Sequence, residues 1–154
     1  MPIQVLGYAA QTSSSPLAPY TFERRDPRED DVVIDIEYCG VCHSDLHQAR
    51  NDWGFSTFPI VPGHEIVGRV TQVGAKATKF KVGDLVGIGC MVDSCRTCSS
   101  CDAGLEQYCE EGNTGTYASV DRHDGRTGTF PVQGQVSPPP PPHRLGHRSR
   151  LHHR

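Results

Sequence analysis

Four cysteines at the spacing C-x2-C-x2-C-x7-C, Cys95, Cys98, Cys101 and Cys109 in "CRTCSSCDAGLEQYC", constrain this chain more than any other feature. Thiolates that close in sequence can wrap one tetrahedral ion without help from distant chain, and a cage with no open position is structural rather than catalytic. Bacterial iron–sulfur motifs also begin C-x2-C-x2-C, but they continue x3-C-P, whereas seven residues intervene here and Glu110 follows the last cysteine. The reading is therefore a structural zinc loop. The N-terminus shows no basic start leading into a long apolar run, so no secretory signal is visible and metal ligands or free thiols are favoured over disulfides. Cys90 stands outside the spacing and is expected to be a buried, apolar-like thiol.

Between residues 31 and 89 the apolar residues come in short Val- and Ile-rich runs punctuated by glycine: "DVVIDIEYCG", "EIVGRVTQVG" and "DLVGIGC". Alternation with period two reads as strands, with Gly68, Gly74, Gly83, Gly87 and Gly89 at turns or bulges. The only helical stretch starts near Ser44, where Ser-Asp supplies a cap and "DLHQAR" supplies helix formers. The expected fold is mostly β and barrel-like, with one short helix and one cysteine-rich loop.

Residues 39–47, "CGVCHSDLH", gather two cysteines, two histidines, a serine and an aspartate. Cys39 and Cys42 form a C-x2-C, yet thioredoxin-type chemistry expects a βαβ setting that the surrounding sequence lacks. His64 and Glu65, in "PGHEIVG", bring a nitrogen donor and a carboxylate to the start of another strand. A catalytic zinc takes three protein ligands and leaves one position open. Cys42 and His64 fit, and a third ligand is needed. Ser44 and His47 lie three residues apart, so on a helical turn they share a face suited to passing a proton to solvent. Asp45 is placed to hydrogen-bond a ligand imidazole. The plainer alternative is a helix cap at Ser44 and Asp45 with solvated histidines.

Residues 137–154, "SPPPPPHRLGHRSRLHHR", hold four of the fifteen basic residues, half of the eight histidines, a five-proline run and no acid. With almost nothing apolar to bury, the segment is expected to be disordered, and its abrupt change of composition reads as a frame-shifted or truncated end rather than a nucleic-acid arm. The remaining residues are net acidic, which argues against nucleic-acid binding. No run of eighteen apolar residues is present, so no membrane helix is expected, and the compartment read from these features is the cytoplasm.

Taken together and in order, "CGVCHSDLH", "PGHEIVGRV", "VGDLVGIG" and "CRTCSSCDAGLEQYC" closely resemble the N-terminal, GroES-like catalytic domain of zinc-dependent medium-chain alcohol dehydrogenases. "YCGVCHSDLHQ" and "NTGTY" are most similar to the cinnamyl alcohol dehydrogenase branch and its bacterial NADP-dependent aldehyde reductases. The resemblance runs from about Ile3 to about Arg126. It implies a partly open GroES-like β-barrel over residues 1–126, incomplete, followed by a tail over 127–154. It implies two zinc sites: a catalytic one on Cys42, His64 and Glu65, and a structural one on Cys95, Cys98, Cys101 and Cys109. By the same resemblance Ser44 accepts the substrate proton, His47 relays it, Asp45 supports the ligand imidazole, and His43 contacts the cofactor pyrophosphate. Trp53 is placed on the substrate pocket wall. The implied reaction is hydride exchange between NADP(H) and aromatic or other bulky primary alcohols and aldehydes, in a family of homodimers.

The chain also departs from that pattern. No G-x-G-x-x-G follows a strand, so the family's dinucleotide-binding (Rossmann) domain is expected to be absent, and no cysteine past Cys109 supplies the family's third catalytic ligand. The expectation is a fragment that binds zinc but turns over negligibly. The alternatives are a free-standing zinc-binding interaction module, which would be a soluble, defined oligomer, and an electron carrier, which would show iron–sulfur absorbance.

Overall fold

A computed structural model describes residues 3–123, 125 and 127–128. The tail expected at 127–154 falls, apart from residues 127–128, outside the described residues.

The chain opens with an antiparallel hairpin of β1 (Ile3–Ala9) and β2 (Ala18–Arg24), in register from Ile3 opposite Arg24 to Ala9 opposite Ala18. Sparse apolar alternation had given no strand signal here. The hairpin is held instead by a small cluster of Ala9, Phe22 and Val61, with Val5 and Tyr20 packed on it. Its connecting turn is closed by the Ser15 hydroxyl, which accepts from the backbone N–H groups of Gln11 and Thr12.

The main sheet follows the sequence pattern. β3 (Val32–Gly40), β4 (Glu65–Val73) and β5 (Leu85–Ile88) pair antiparallel in the order β3-β4-β5. On β4 the buried positions are Ile66, Gly68 and Val70, alternate residues of one face, and Val86 and Ile88 continue that face on β5. With Val32 and Val92 they form the core, each large side chain contributing about 1.5–3 kcal/mol through removal from water. Gly68 faces the backbone carbonyl of Asp35 so closely that a Cβ has no room, and β3 bulges between Ile36 and Tyr38 directly opposite it. Gly87, expected at a turn or bulge, instead lies within regular pairing opposite Val67.

Two register consequences matter for the site. Gly40 ends β3 directly opposite Glu65, the first residue of β4. The helix α1 (His43–Arg50) then starts three residues after Gly40, so the end of one strand, a helix N-terminus and the start of a second strand converge. The cap differs from the expectation: Cys42, not Ser44, is the N-cap, and Asp45 at the third helical position accepts from its backbone N–H at 2.9 Å.

Beyond the core, β6 (Met91–Asp93) pairs with β7 (Thr114–Gly115) across the cysteine loop, which holds a short helix α2 (Ser99–Asp102) and a 3₁₀ turn at Glu106–Tyr108. β8 (Ser119–Val120) pairs with β9 (Thr127–Gly128). The described structure is mostly strand, every strand pairing in it is antiparallel, and no described helix is long and apolar enough to cross a membrane.

Candidate metal centres

The four-cysteine lobe is a nest of backbone donors around sulfur. The Sγ atoms of Cys95, Cys98, Cys101 and Cys109 lie within 4.8 Å of one another, with Cys95 and Cys101 3.9 Å apart and all four thiols free. Cys98 N–H and Thr97 N–H reach the Cys95 sulfur at 3.3 and 3.5 Å, Cys95 N–H reaches Cys109 at 3.4 Å, and Glu110 N–H reaches Cys98 at 3.5 Å. Arg96, at φ 61°, makes the left-handed kink that turns these amides inward. Donors of this kind offset negative charge on sulfur. The N–H groups of Thr97 and then Cys98 bring the Cys95 thiol down to about 6, despite an opposing desolvation. At Cys101 the Ser94 hydroxyl pulls in the same direction, but desolvation and the neighbouring Cys98 and Cys109 thiols outweigh it and push the group up to about 11. Four like groups cannot all ionise at this separation without a cation between them. The donor set therefore fits a structural zinc.

The second cluster forms where β3, α1 and β4 meet. Cys42 Sγ, a ring nitrogen of His64 and a carboxylate oxygen of Glu65 lie within 4.8 Å of one another. Gly40 makes room for this, since a Cβ there would sit 2.5 Å from Glu65 Oε2. His64 is buried, and its Nδ1 lies 2.9 Å from Asp45 Oδ1. An ionised carboxylate can only accept, so Nδ1 carries the proton and Nε2 is left as the lone-pair donor. Three protein donors of Cys, His and Glu type, rather than four, fit a catalytic rather than a structural ion.

The remaining expected residues surround this cluster. Ser44 donates to Cys42 Sγ at 3.2 Å and lies 3.4 Å from His64 Nε2. His47 is turned outward, its Nδ1 2.8 Å from Asp52 Oδ2, and its ring stacks with that of His43 at 5.8 Å. His43 is exposed. Ser44 and His47 share a turn of α1, as the spacing predicts, but each is bonded to a different partner. Trp53, about half exposed, packs on His47 at 5.3 Å and on Phe55 at 5.8 Å. It does not line the open apolar trough of about 970 Å³ beside the site, whose walls include Tyr8, Leu17, Cys39, Val41 and Leu46. Cys90 corrects an expectation: it is exposed, because it lies just past the end of β5 where the chain leaves the core.

Sequence reasoning missed one neighbour. Tyr117 tilts against the His64 ring at 5.5 Å between centroids, and no spacing rule ties "NTGTY" to "PGHE".

Comparison with known proteins shows the family. The family model for the alcohol dehydrogenase GroES-like domain matches residues 28–132. The chain belongs to that family. It is 57% identical over 109 residues to a probable mannitol dehydrogenase of Medicago sativa, covering 71% of this chain and 30% of the relative. It is 50% identical over 133 residues to the NADP-dependent alcohol dehydrogenase C of Mycobacterium bovis, covering 86% of this chain and 37% of the relative. Among solved structures it superimposes on a cinnamyl alcohol dehydrogenase of Sorghum bicolor with a TM-score of 0.78 at 46% identity, over 88% of this chain and 38% of that one. The chain thus spans about a third of the length of these relatives.

Proposed function

We propose that these residues form the metal-holding, proton-handling part of a zinc-dependent oxidoreductase that interconverts bulky or aromatic primary alcohols and aldehydes with NADP(H). The carrying observation is the convergence of Cys42, His64 and Glu65 within 4.8 Å, with Asp45 holding Nδ1 of His64. Relatives named for NADP-dependent and cinnamyl alcohol chemistry support the cofactor and substrate class.

In this reading Cys42, His64 and Glu65 hold the catalytic ion, which when bound supplies Lewis-acid polarisation of an oxygen. Cys95, Cys98, Cys101 and Cys109 hold the structural one. The Ser44 hydroxyl, beside Cys42 and His64, takes up or returns the proton of the reacting oxygen. His47, on the same side of α1 and facing solvent through Asp52, exchanges that proton with water. Asp45 keeps the His64 proton on Nδ1, and His43 is the anion contact for the cofactor. As isolated, the 154 residues bind metal and turn over negligibly, since the sequence holds no glycine-rich dinucleotide fingerprint and no cysteine beyond Cys109. The domain unit proposed is 1–126.

The completeness of the four-cysteine cage favours a second reading, a zinc-binding interaction module without catalysis. The test is to titrate the chain with cobalt(II), then follow NADPH loss with an aromatic aldehyde. Two bound ions with spectra of distinct ligand sets, and no NADPH loss, are expected. One ion only would favour the module, and clear turnover would overturn the proposed inactivity.

A further inference from the structure

The segment leaving the four-cysteine lobe is anchored at each of the three residues before Tyr117. Thr114 and Gly115 pair with β6 opposite Asp93 and Met91. Thr116 is 1% exposed, its N–H donates to the Cys90 carbonyl at 3.1 Å, and its hydroxyl donates to the Gly89 carbonyl. After Tyr117, Ala118 adopts φ 52°, a left-handed conformation that an alanine enters only at some energetic cost, and Gly115 N–H closes the turn on the Ser119 hydroxyl at 2.9 Å. A tight, strained turn thus aims one aromatic side chain. Its ring meets the His64 imidazole at 5.5 Å between centroids, the two planes tilted by 49°.

We infer that Tyr117 is a positioning residue for the second metal centre, delivered from the four-cysteine lobe to pack on the His64 ring and fix its tilt. The inference rests on the reading of Cys42, His64 and Glu65 as metal donors. His64 is held on one edge by Asp45 at 2.9 Å and touched on the other by the Ser44 hydroxyl at 3.4 Å, contacts at the two ring nitrogens that leave the ring free to rock about the line joining them. Tyr117 supplies the missing constraint by packing on the ring. The two lobes of the site are thereby tied: Asp45 and Ser44 come from α1, His64 immediately precedes β4, and Tyr117 follows β7. Partners that orient metal-bound histidines typically change metal affinity by about 10–100-fold when removed.

The experiment uses the full chain, first loaded with one equivalent of zinc, in wild-type, Tyr117→Phe and Tyr117→Ala forms. Two readouts are taken: cobalt(II) affinity at the second centre, and the tautomer of the His64 ring from its ¹⁵N shifts. Tyr117→Ala should weaken cobalt by about tenfold or more and let the ring exchange between tautomers, and Tyr117→Phe, which keeps the ring, should stay within about twofold of the wild type. Uptake of the first zinc should be unchanged in both, which reports that the variants fold. Wild-type affinity and wild-type shifts in both variants would overturn the inference. If the wild type takes no cobalt at the second centre, the functional reading fails, and the His64 shifts alone then decide the positioning role.

Discussion

The carboxylate of Asp45 joins two elements that are distant in sequence: Oδ1 lies 2.9 Å from Nδ1 of His64, while Oδ2 accepts from the N–H of Cys42. Both side chains are buried. Replacing Asp45 by Asn puts an amide donor where one of these two donors needs an acceptor. Cobalt(II) affinity at the second centre should fall about 10–100-fold, and stability should fall by about 1–3 kcal/mol from the unsatisfied buried group. A cobalt titration followed by urea unfolding checks both, with the four-cysteine site unchanged.

Gly40 and Gly68 separate a site effect from a fold effect. A Cβ at position 40 would press on the Glu65 carboxylate, a movable group, whereas at position 68 it would meet the Asp35 backbone. Gly40→Ala should therefore weaken the second centre with little change in unfolding midpoint. Gly68→Ala should lower stability by about 1–3 kcal/mol through overpacking, and Gly89→Ala, which meets nothing within 4 Å, serves as the control.

The cysteine lobe should show graded reactivity when stripped of metal. With Cys95 brought down to about 6 and Cys101 pushed up to about 11, iodoacetamide at pH 7 should modify Cys95 first and Cys101 late. Because the remaining thiol protons must leave when an ion enters, metal affinity should fall as pH is lowered. Mass-spectrometric mapping checks the order, and zinc should protect all four.

A second network ties the end of β2 to the region before β3. Asp31 and Asp121 are buried, and Arg25 bridges them, with Arg28 also reaching Asp121 at 3.1 Å. Burial alone would raise both carboxyls, but Arg25 at Asp31, and the His123 N–H with Arg28 and Arg25 at Asp121, hold them below the usual carboxylate range. Folded values below the unfolded ones mean stability that is full above the unfolded value of about 4 and is lost as pH falls through the folded ones. Acid unfolding of the wild type should thus steepen below about pH 4. Asp31→Asn should cost about 3 kcal/mol at neutral pH and flatten that acid limb.

What could be read from sequence was what local periodicity or local spacing encodes. Ile66, Val70, Val86 and Ile88 alternate, and they form the sheet core as expected. Cys95 to Cys109, and Cys42 to His47, lie within single loops or turns, so their grouping needs no tertiary information. The β1–β2 hairpin was not foreseen, because Leu6 and Tyr8 are exposed and the strand rests on a small cluster rather than a regular apolar face. Tyr117 was missed for a related reason: its approach to His64 depends on a strained turn and on the β6–β7 ladder. The cap on α1 shifted to Cys42 because Asp45 was better used reaching back to it than starting the helix.

The most direct measurement is zinc content per chain, by elemental analysis, for the wild type, Cys98→Ser and His64→Ala. Two ions in the wild type and one in each variant, with a lowered melting temperature only for Cys98→Ser, are the predicted results. A wild type that holds none, or a Cys98→Ser chain that keeps both its metal and its melting temperature, would contradict the assignment of two separate centres.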